Sequence, residues 1–484
     1  MTRHRALAGA CLALAVACSG PPDASDQAPA LIPSSPPTSL VRLPAEGGVA
    51  RAYTLPDLAE AEWRPEGRLP ELDSLVGINT EQSIVFARDT RGSIASVDLA
   101  TGRVRPPIRG TRSASVAADG TLYTVDTAGR VVAYARRAPE RFAARVEGAA
   151  PRLYGATGGR VIALSPGGGE LAVLTPRDSA RVQPIAEGPV AVTLWGDLLA
   201  VAADTAVILY EPLSQREPRS IEMEDGARAV AFSPSGHQLY AGRDDASVAV
   251  IDRFGLDVRD EIAVGARLDR LRPGPYGRWL LGYAIGTDSI WVIDLDAKRL
   301  AGAVPGTWAA DLPVVAASGV LVLRRGKDVV ALDLSAPGFP ERGRVADGAG
   351  DLWAAPPWAP PGVRAPEPAD DEPAPAPSGD EGGDDAEPAA DAGPAAGDSA
   401  GTDTARAERV YLQVSSSRNP EWARELSDKL VAAGLPARVL EPRTPTDPYR
   451  VVLGPYASRE AAEEAGRSLG MPYFVVGAGD SAAP

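Results

Sequence analysis

The chain has 484 residues, with 49 Lys and Arg against 64 Asp and Glu and a formal net charge of -15; at about 100 to 200 residues per domain, that length predicts two to four domains. It holds only two His, His4 and His237, and two Cys, Cys11 and Cys18, three of the four within the first 18 residues, which argues against a Cys/His zinc site, a disulfide framework and a Ser-His or Cys-His catalytic pair. Only three Lys in an acidic chain argue against a nucleic-acid partner, because phosphate binding needs clustered cations.

Arg3, His4 and Arg5 precede an uncharged, mostly apolar stretch from Ala6 to Ala17, and Cys18 follows. This is the order of a signal peptide, residues 1–17: basic n-region, short h-region, small-residue cleavage site. Twelve residues cannot span a bilayer as a helix, which takes about 20. The run Leu14-Ala15-Val16-Ala17-Cys18 resembles a bacterial lipobox, with Ala15 where Leu is preferred. The resemblance implies lipidation at Cys18, hence a membrane anchor and an outer membrane lipoprotein facing the periplasm. Read instead as an ordinary A-x-A site, Ala15-Val16-Ala17 would release a soluble periplasmic protein. Residues 18–68 are rich in Pro, Ser and Ala and carry no sustained period, so they are expected to form a tether, with Val49 to Leu55 available as a strand leading into the next domain.

From residue 69 to 355 the chain repeats. A Gly followed by a small residue or Pro and then a strand recurs at Gly110, Gly148, Gly188, Gly226, Gly265, Gly306 and Gly348, at intervals of 38, 40, 38, 39, 41 and 42 residues. One more unit fits before Gly110, giving seven. In the clearest unit, strands are predicted over Ala229 to Phe232, Gln238 to Gly242, Ser247 to Asp252 and about Val258 to Val264, separated by Pro/Gly/Asp turns. The third strand of a unit ends in an apolar residue followed by Asp at Asp98, Asp252, Asp294 and Asp333. Seven units of this layout resemble a β-propeller of the YVTN or WD-repeat-like type, without the Trp and Gly-His pairs of true WD repeats. Four strands of this size cannot bury their own faces, so the units are expected to stack radially. Either the segment before Leu69 or the tail from Gly348 to Trp358 could add a strand to the ring, and a count of eight starting near Val41 is the alternative.

The propeller region offers no evident chemistry. His237 reads as a solvated hairpin residue, the third-strand Asp residues as turn caps, and Trp291, Trp308 and Trp353 as packing residues. No nucleophile-base pair, phosphate loop or carboxylate constellation stands out, so the expectation is a non-enzymatic scaffold with no cofactor and no metal, binding an unidentified protein partner through its loops.

Residues 356–407 change to Pro, Ala, Gly, Asp and Glu. Between 365 and 407 twelve acids face one base, Arg406, a local charge of -11, without one Val, Leu, Ile or aromatic side chain. Such a segment cannot build a core and is expected to be a disordered spacer.

Residues 408–477 read as β-α-β-β-α-β, an α+β ferredoxin-like unit, with a disordered tail at 478–484. Arg409 to Val414, Ala437 to Leu440, Tyr449 to Leu453 and Tyr473 to Val476 are the predicted strands. Asn419-Pro420-Glu421 starts one helix, with Trp422, Leu426 and Leu430 on one face and Gly434 as its stop, and Ser458 caps the other. The strings Tyr411-Leu412-Gln413-Val414-Ser415-Ser416, Tyr449-Arg450-Val451-Val452-Leu453-Gly454-Pro455-Tyr456 and Ser458-Arg459-Glu460-Ala461-Ala462 resemble the SPOR (sporulation-related repeat) family, with Ser415 where Gly is common and Ser417 where an aromatic is common. The resemblance implies binding of peptidoglycan glycan strands lacking stem peptides across an open sheet face. Carried over by motif, Gln413, Ser416 and Arg450 would hydrogen-bond the sugars, and Tyr411, Tyr449 and Val475 would supply apolar contact. A role at the division site is what the family implies. The competing expectation is a wall-remodelling enzyme or ligand sensor in the propeller, targeted by this domain.

Overall fold

In the computed structural model, residues 39–361 are described apart from gaps at 81, 136–138, 147–149, 157–158, 167, 195, 215, 237, 254, 276 and 317–318. Residues 410–477 are described apart from 418–422, 425–426, 429, 432–434, 442–448, 459–460, 463–464 and 466–473. The segment expected to be a signal peptide, Cys18, Gly148, His237, Asn419, Pro420, Glu421, Trp422, Leu426, Gly434, Tyr473 and the acidic segment lie outside these residues. No described helix is long and apolar enough to cross a membrane.

Two strands open the fold, β1 (Ser39–Leu43) and β2 (Arg51–Thr54). Seven meanders of four antiparallel strands follow: β3–β6 (72–108), β7–β10 (111–145), β11–β14 (152–184), β15–β18 (190–222), β19–β22 (229–263), β23–β26 (270–305) and β27–β30 (314–345). Next come β31 (Leu352–Ala354) and then the C-terminal strands β32 (Val410–Ser417), β33 (Ala437–Leu440), β34 (Tyr449–Tyr456) and β35 (Phe474–Gly477). We number the meanders sheets one to seven. In sheet five the strands fall at Ala229–Phe232, Gln238–Gly242, Ser247–Asp252 and Val258–Ala263, within one residue of the sequence reading.

The repeat accounts for seven sheets, but the ring contains an eighth that no single repeat encodes. β1 pairs with β2 and, on its other side, with β31, more than 300 residues later: Val41 opposes Ala354, Arg42 opposes Trp353 and Leu43 opposes Leu352. Both of the segments expected as alternatives therefore contribute, and residues 39–68, read from sequence as tether, belong to the ring. The outer edge of β2 is partly occupied by its own continuation, where Thr54 N–H donates to Ala59 O and Ala61 N–H donates to Ala52 O.

Stacking provides the core. The closing sheet packs on sheet one through Val41, Leu43, Ala52, Val85, Ala87 and Val97, and on sheet seven through Leu40, Tyr53, Trp353, Val320, Val322 and Val329. Equivalent clusters lie between each other pair of neighbours, from Ile84, Phe86, Ile94 and Leu122 between sheets one and two round to Leu281, Val292, Leu321 and Leu323 between six and seven. Because both faces of each sheet are covered, middle strands read as unbroken apolar runs such as Leu321-Val322-Leu323. The first strand of each sheet is innermost, and β31 takes that place in the closing sheet. These inner strands start on one face of the ring, the entry face, and finish on the other, the exit face.

Polar residues tie sheet ends. Asp98, Asp252, Asp294 and Asp333 each accept the N–H of a residue two or three places on, at 3.0, 2.9, 3.1 and 2.9 Å, which is the capping role expected for them. Burial acts to raise the Asp98 carboxyl, but the Thr101 N–H and the Arg105 guanidinium outweigh it and hold the carboxyl below the usual range. At the closure, Asp311 accepts two bonds from Arg324 at 2.8 and 2.7 Å and one from Trp353 N–H at 2.8 Å, while Arg324 also donates to Ala349 O and Asp351 O. Asp351 in turn bonds Arg42 and Ala45 N–H, so one network joins sheet seven, β31 and β1.

The repeating Gly marks fall between sheets. Gly188 shows why: its φ is +145°, and a Cβ there would lie 2.0 Å from Ala202 O. Of the tryptophans, Trp353 is fully buried at the closure. Trp291 packs on the core between sheets five and six. Trp308 stacks on Tyr283 with ring centroids 5.8 Å apart and lies 4.8 Å from the Arg272 guanidinium. Burial pushes that guanidinium down to about 10, and backbone carbonyls of Ala309, Ala310 and Pro313 satisfy it.

Candidate functional site

The C-terminal strands form one antiparallel sheet in the order β33-β34-β32-β35. Side chains alternate along β32. Val410, Leu412 and Val414 join Val451 and Leu453 of β34 in a cluster with the helical residues Ala423, Leu430 and Ala462. The second helix begins as expected, with Ser458 Oγ accepting the Ala461 N–H at 3.2 Å.

The opposite face carries a different set. Tyr411, Leu440 and Val452 pack there, and the Arg438 guanidinium lies 4.4 Å over the Tyr411 ring. Gln413 opposes Val452, which opposes Arg438 on the other side, so Arg438, Val452 and Gln413 form one row across three strands. The next row holds Leu440, Arg450 and, in register, Ser416. Tyr411 and Gln413 are well covered, at 5% and 4% exposure.

Two irregularities set this register. Between Leu453 and Tyr456, two residues, Gly454 and Pro455, oppose Tyr411 alone. Pro has no N–H for a ladder and is at home in such a bulge. Gly454 has φ +117°, and a Cβ there would meet the Tyr456 N at 3.1 Å, so the motif's Gly is required by its backbone. A second bulge adds one residue to β32 between Gln413 and Ser415, which puts Ser416 rather than Ser415 opposite Arg450.

The structure thus brings Tyr411, Gln413 and Arg450 to one face and places Ser416 opposite Arg450. Tyr449 is elsewhere: it is half-buried against the helix-side cluster, as its alternation with Arg450 requires. Val475 stands opposite Leu412, a residue of that same cluster, whereas Phe474 is the β35 residue opposite Gln413. Arg438 was not singled out from the sequence. The signal was available, because in a four-residue strand Arg438 and Leu440 must share a face.

The fold is a β-propeller followed by a small α+β domain, and the second of these is a SPOR domain: residues 407–472 match the family model of that description. SPOR domains bind peptidoglycan. No curated protein matches the chain. Among solved structures, the chain is similar to dihydro-heme d1 dehydrogenase NirN in complex with DHE, at 14% identity and a TM-score of 0.49 over 66% of this chain and 75% of that one. It is also similar to AztD of Citrobacter koseri, at 10% identity and 0.48 over 65% and 97%.

Proposed function

We propose that this is an exported cell-envelope protein, lipid-anchored through Cys18, that binds peptidoglycan glycan strands lacking stem peptides through the open face of its SPOR sheet. Arg450 and Ser416 supply hydrogen bonds to the sugars, Arg438 stacked over Tyr411 supplies the flat surface, and the covered Tyr411 and Gln413 form the floor that holds these groups in place. The propeller is a non-catalytic interaction scaffold for a protein partner, with the division site as its place of action. The observation that carries the glycan reading is the pair of rows on the sheet face opposite the helices, Arg438-Val452-Gln413 and Leu440-Arg450-Ser416, within the matched residues. The domain is close to neutral, with nine bases and ten acids over 408–484, so recognition rests on hydrogen bonds and stacking rather than on a long-range field.

The test is co-sedimentation of the whole chain with sacculi before and after amidase treatment. Removal of stem peptides increases the bound fraction. If amidase leaves binding unchanged, or if Arg450→Ala binds like the unaltered protein, the glycan reading fails.

A further inference from the structure

The propeller's charge is unevenly spread. Residues 103–184, which are the outer strand of sheet one and all of sheets two and three, contain thirteen Arg and six acids, a net of +7 in a protein of -15. Six of these Arg lie towards the exit face: Arg103 and Arg105 at the start of β6, Arg141 near the start of β10, Arg160 at the start of β12, Arg177 in the loop before β14, and Arg181 at its start. Arg103, Arg105, Arg141 and Arg177 are exposed. Arg103 reaches Glu66 only at 4.0 Å with both side chains in solvent, and Arg105 is paired with Asp98. Among the described residues no carboxylate pairs with Arg141, Arg160 or Arg177.

The chain delivers its own polyanion to one end of this track. β31 runs from the entry to the exit face, and beyond it Trp358 packs edge-on against Trp63 at 5.2 Å, with its carbonyl accepting the Ser39 hydroxyl. Trp63 begins the segment that lies along the outer edge of sheet one, where Glu66 bridges to Arg103. The last described residues of the propeller therefore sit beside Arg103, a few residues before the segment 365–407 with its twelve acids and one base.

We infer that the acidic segment 365–407 docks along the arginine track of sheets one to three. A coil of that length has a root-mean-square span of about 35 to 40 Å, enough to run across two neighbouring sheets. Covalent attachment beside Arg103 gives it an effective concentration of order millimolar, which no free polyanion in the envelope needs to match. Docking draws the SPOR domain towards the propeller at low ionic strength, and salt or a competing polyanion releases it. The contact is electrostatic between solvated groups, so it weakens as the screening length falls from about 10 Å at 0.1 M salt towards 3 Å at 1 M.

The test is photo-crosslinking in the whole chain with a benzophenone amino acid at Val182, 55% exposed next to Arg181, and, as the reference position, at Ile285, 68% exposed in sheet six on the entry face. At 20 mM salt, position 182 gives adducts with residues 365–407 at least tenfold above position 285. Raising salt to 0.5 M, or the triple substitution Arg105→Gln, Arg141→Gln, Arg177→Gln, removes that excess, with the thermal unfolding midpoint reporting that the ring is intact. Mixing isotope-labelled and unlabelled chains reports whether the adduct is within one chain. Equal yields at the two positions, adducts that survive 0.5 M salt and the triple substitution, or adducts that are mainly between chains, overturn the proposal.

Discussion

The two folded regions treat the second face of a β-sheet in opposite ways, and the difference tells where each can act. Every propeller sheet is covered on both faces by its neighbours, so its apolar middle strands are interior, and its charged groups lie mainly on the outer strands, at strand ends and in loops. Among the described residues the SPOR sheet packs helices on one face, and on the other it carries Arg438, Gln413, Tyr411 and Arg450. A propeller sheet therefore offers a partner its rim and outer strand, whereas the SPOR sheet carries on one face the partly exposed Arg438 and Arg450 over the buried Tyr411, Gln413 and Val452. Substitutions separate the two: ring changes should alter stability and leave glycan binding alone, and open-face changes should do the reverse.

The largest effect is expected at the closure. Trp353 is 1% exposed, packs between β1 and sheet seven, and donates its indole N–H to Gly348 O at 2.8 Å. Trp353→Ala should cost about 3 to 5 kcal/mol, read as a lower denaturant midpoint for the propeller transition. A loss under about 1 kcal/mol would mean that β31 does not hold the ring. Next comes Asp311→Asn. The Arg324 and Asp311 side chains are 9% and 4% exposed, and neutralising the carboxylate leaves a buried guanidinium without its anionic partner and with one fewer side-chain acceptor. Breaking one side of such a pair costs about 3 kcal/mol or more, while Asp311→Asn with Arg324→Met should recover part of it. Both variants should sediment with sacculi as the unaltered protein does at temperatures where the ring is folded.

Much of this architecture was legible in the sequence because the two structural periods are physically strict. A sheet buried on both faces needs continuous apolar runs, so sheet five could be read almost to the residue from Ala229 to Ala263. The closing sheet was not legible as a unit, because β1 and β31 lie at opposite ends of the ring and neither carries a complete repeat. On the SPOR sheet, alternation assigned Tyr411 and Gln413 to one face, but the same rule places Tyr449 on the other face from Arg450. Motif position alone had grouped them. The two bulges were the missing information: Gly454-Pro455 announced one, while nothing in Val414-Ser415 marked the other.

On the open face the expected effect is smaller and lies in binding. Arg450→Ala and Arg438→Ala should each weaken association with amidase-treated sacculi by about tenfold, equivalent to about 1.4 kcal/mol, without moving the propeller transition. Arg438 is the sharper of the two, because its stack on Tyr411 holds that ring in place. Equal binding by Arg438→Ala would take this residue out of the site and leave the row to Gln413 and Arg450.

The smallest effect distinguishes the ring by pH. Burial acts to raise the carboxyls of Asp98, Asp245 and Asp269, but turn N–H groups and an Arg near each outweigh it and hold them below the ordinary range. For Asp333, bonds from Ser335 lead the lowering. A depressed folded-state value means that the unfolded chain takes up protons first as pH falls. The stabilisation is therefore complete above about pH 5, starts to fall as the unfolded carboxyls titrate near 3.9, and is gone once pH drops through the folded values. Asp98 is covered, but Asp245, Asp269 and Asp333 are partly exposed and the Arg partners of Asp98 and Asp269 reach solvent, so screening holds each contribution to about 1 kcal/mol or less. The SPOR open face carries no such carboxylate among its described residues. Thermal unfolding of the whole chain between pH 7 and pH 3 should thus lower the ring's midpoint below pH 4 and leave the SPOR transition less affected. Asp98→Asn should lower the ring's midpoint at pH 7 and flatten its pH dependence; a midpoint unchanged at pH 7 would show that the Asp98 cap and its Arg105 pair add nothing to the ring.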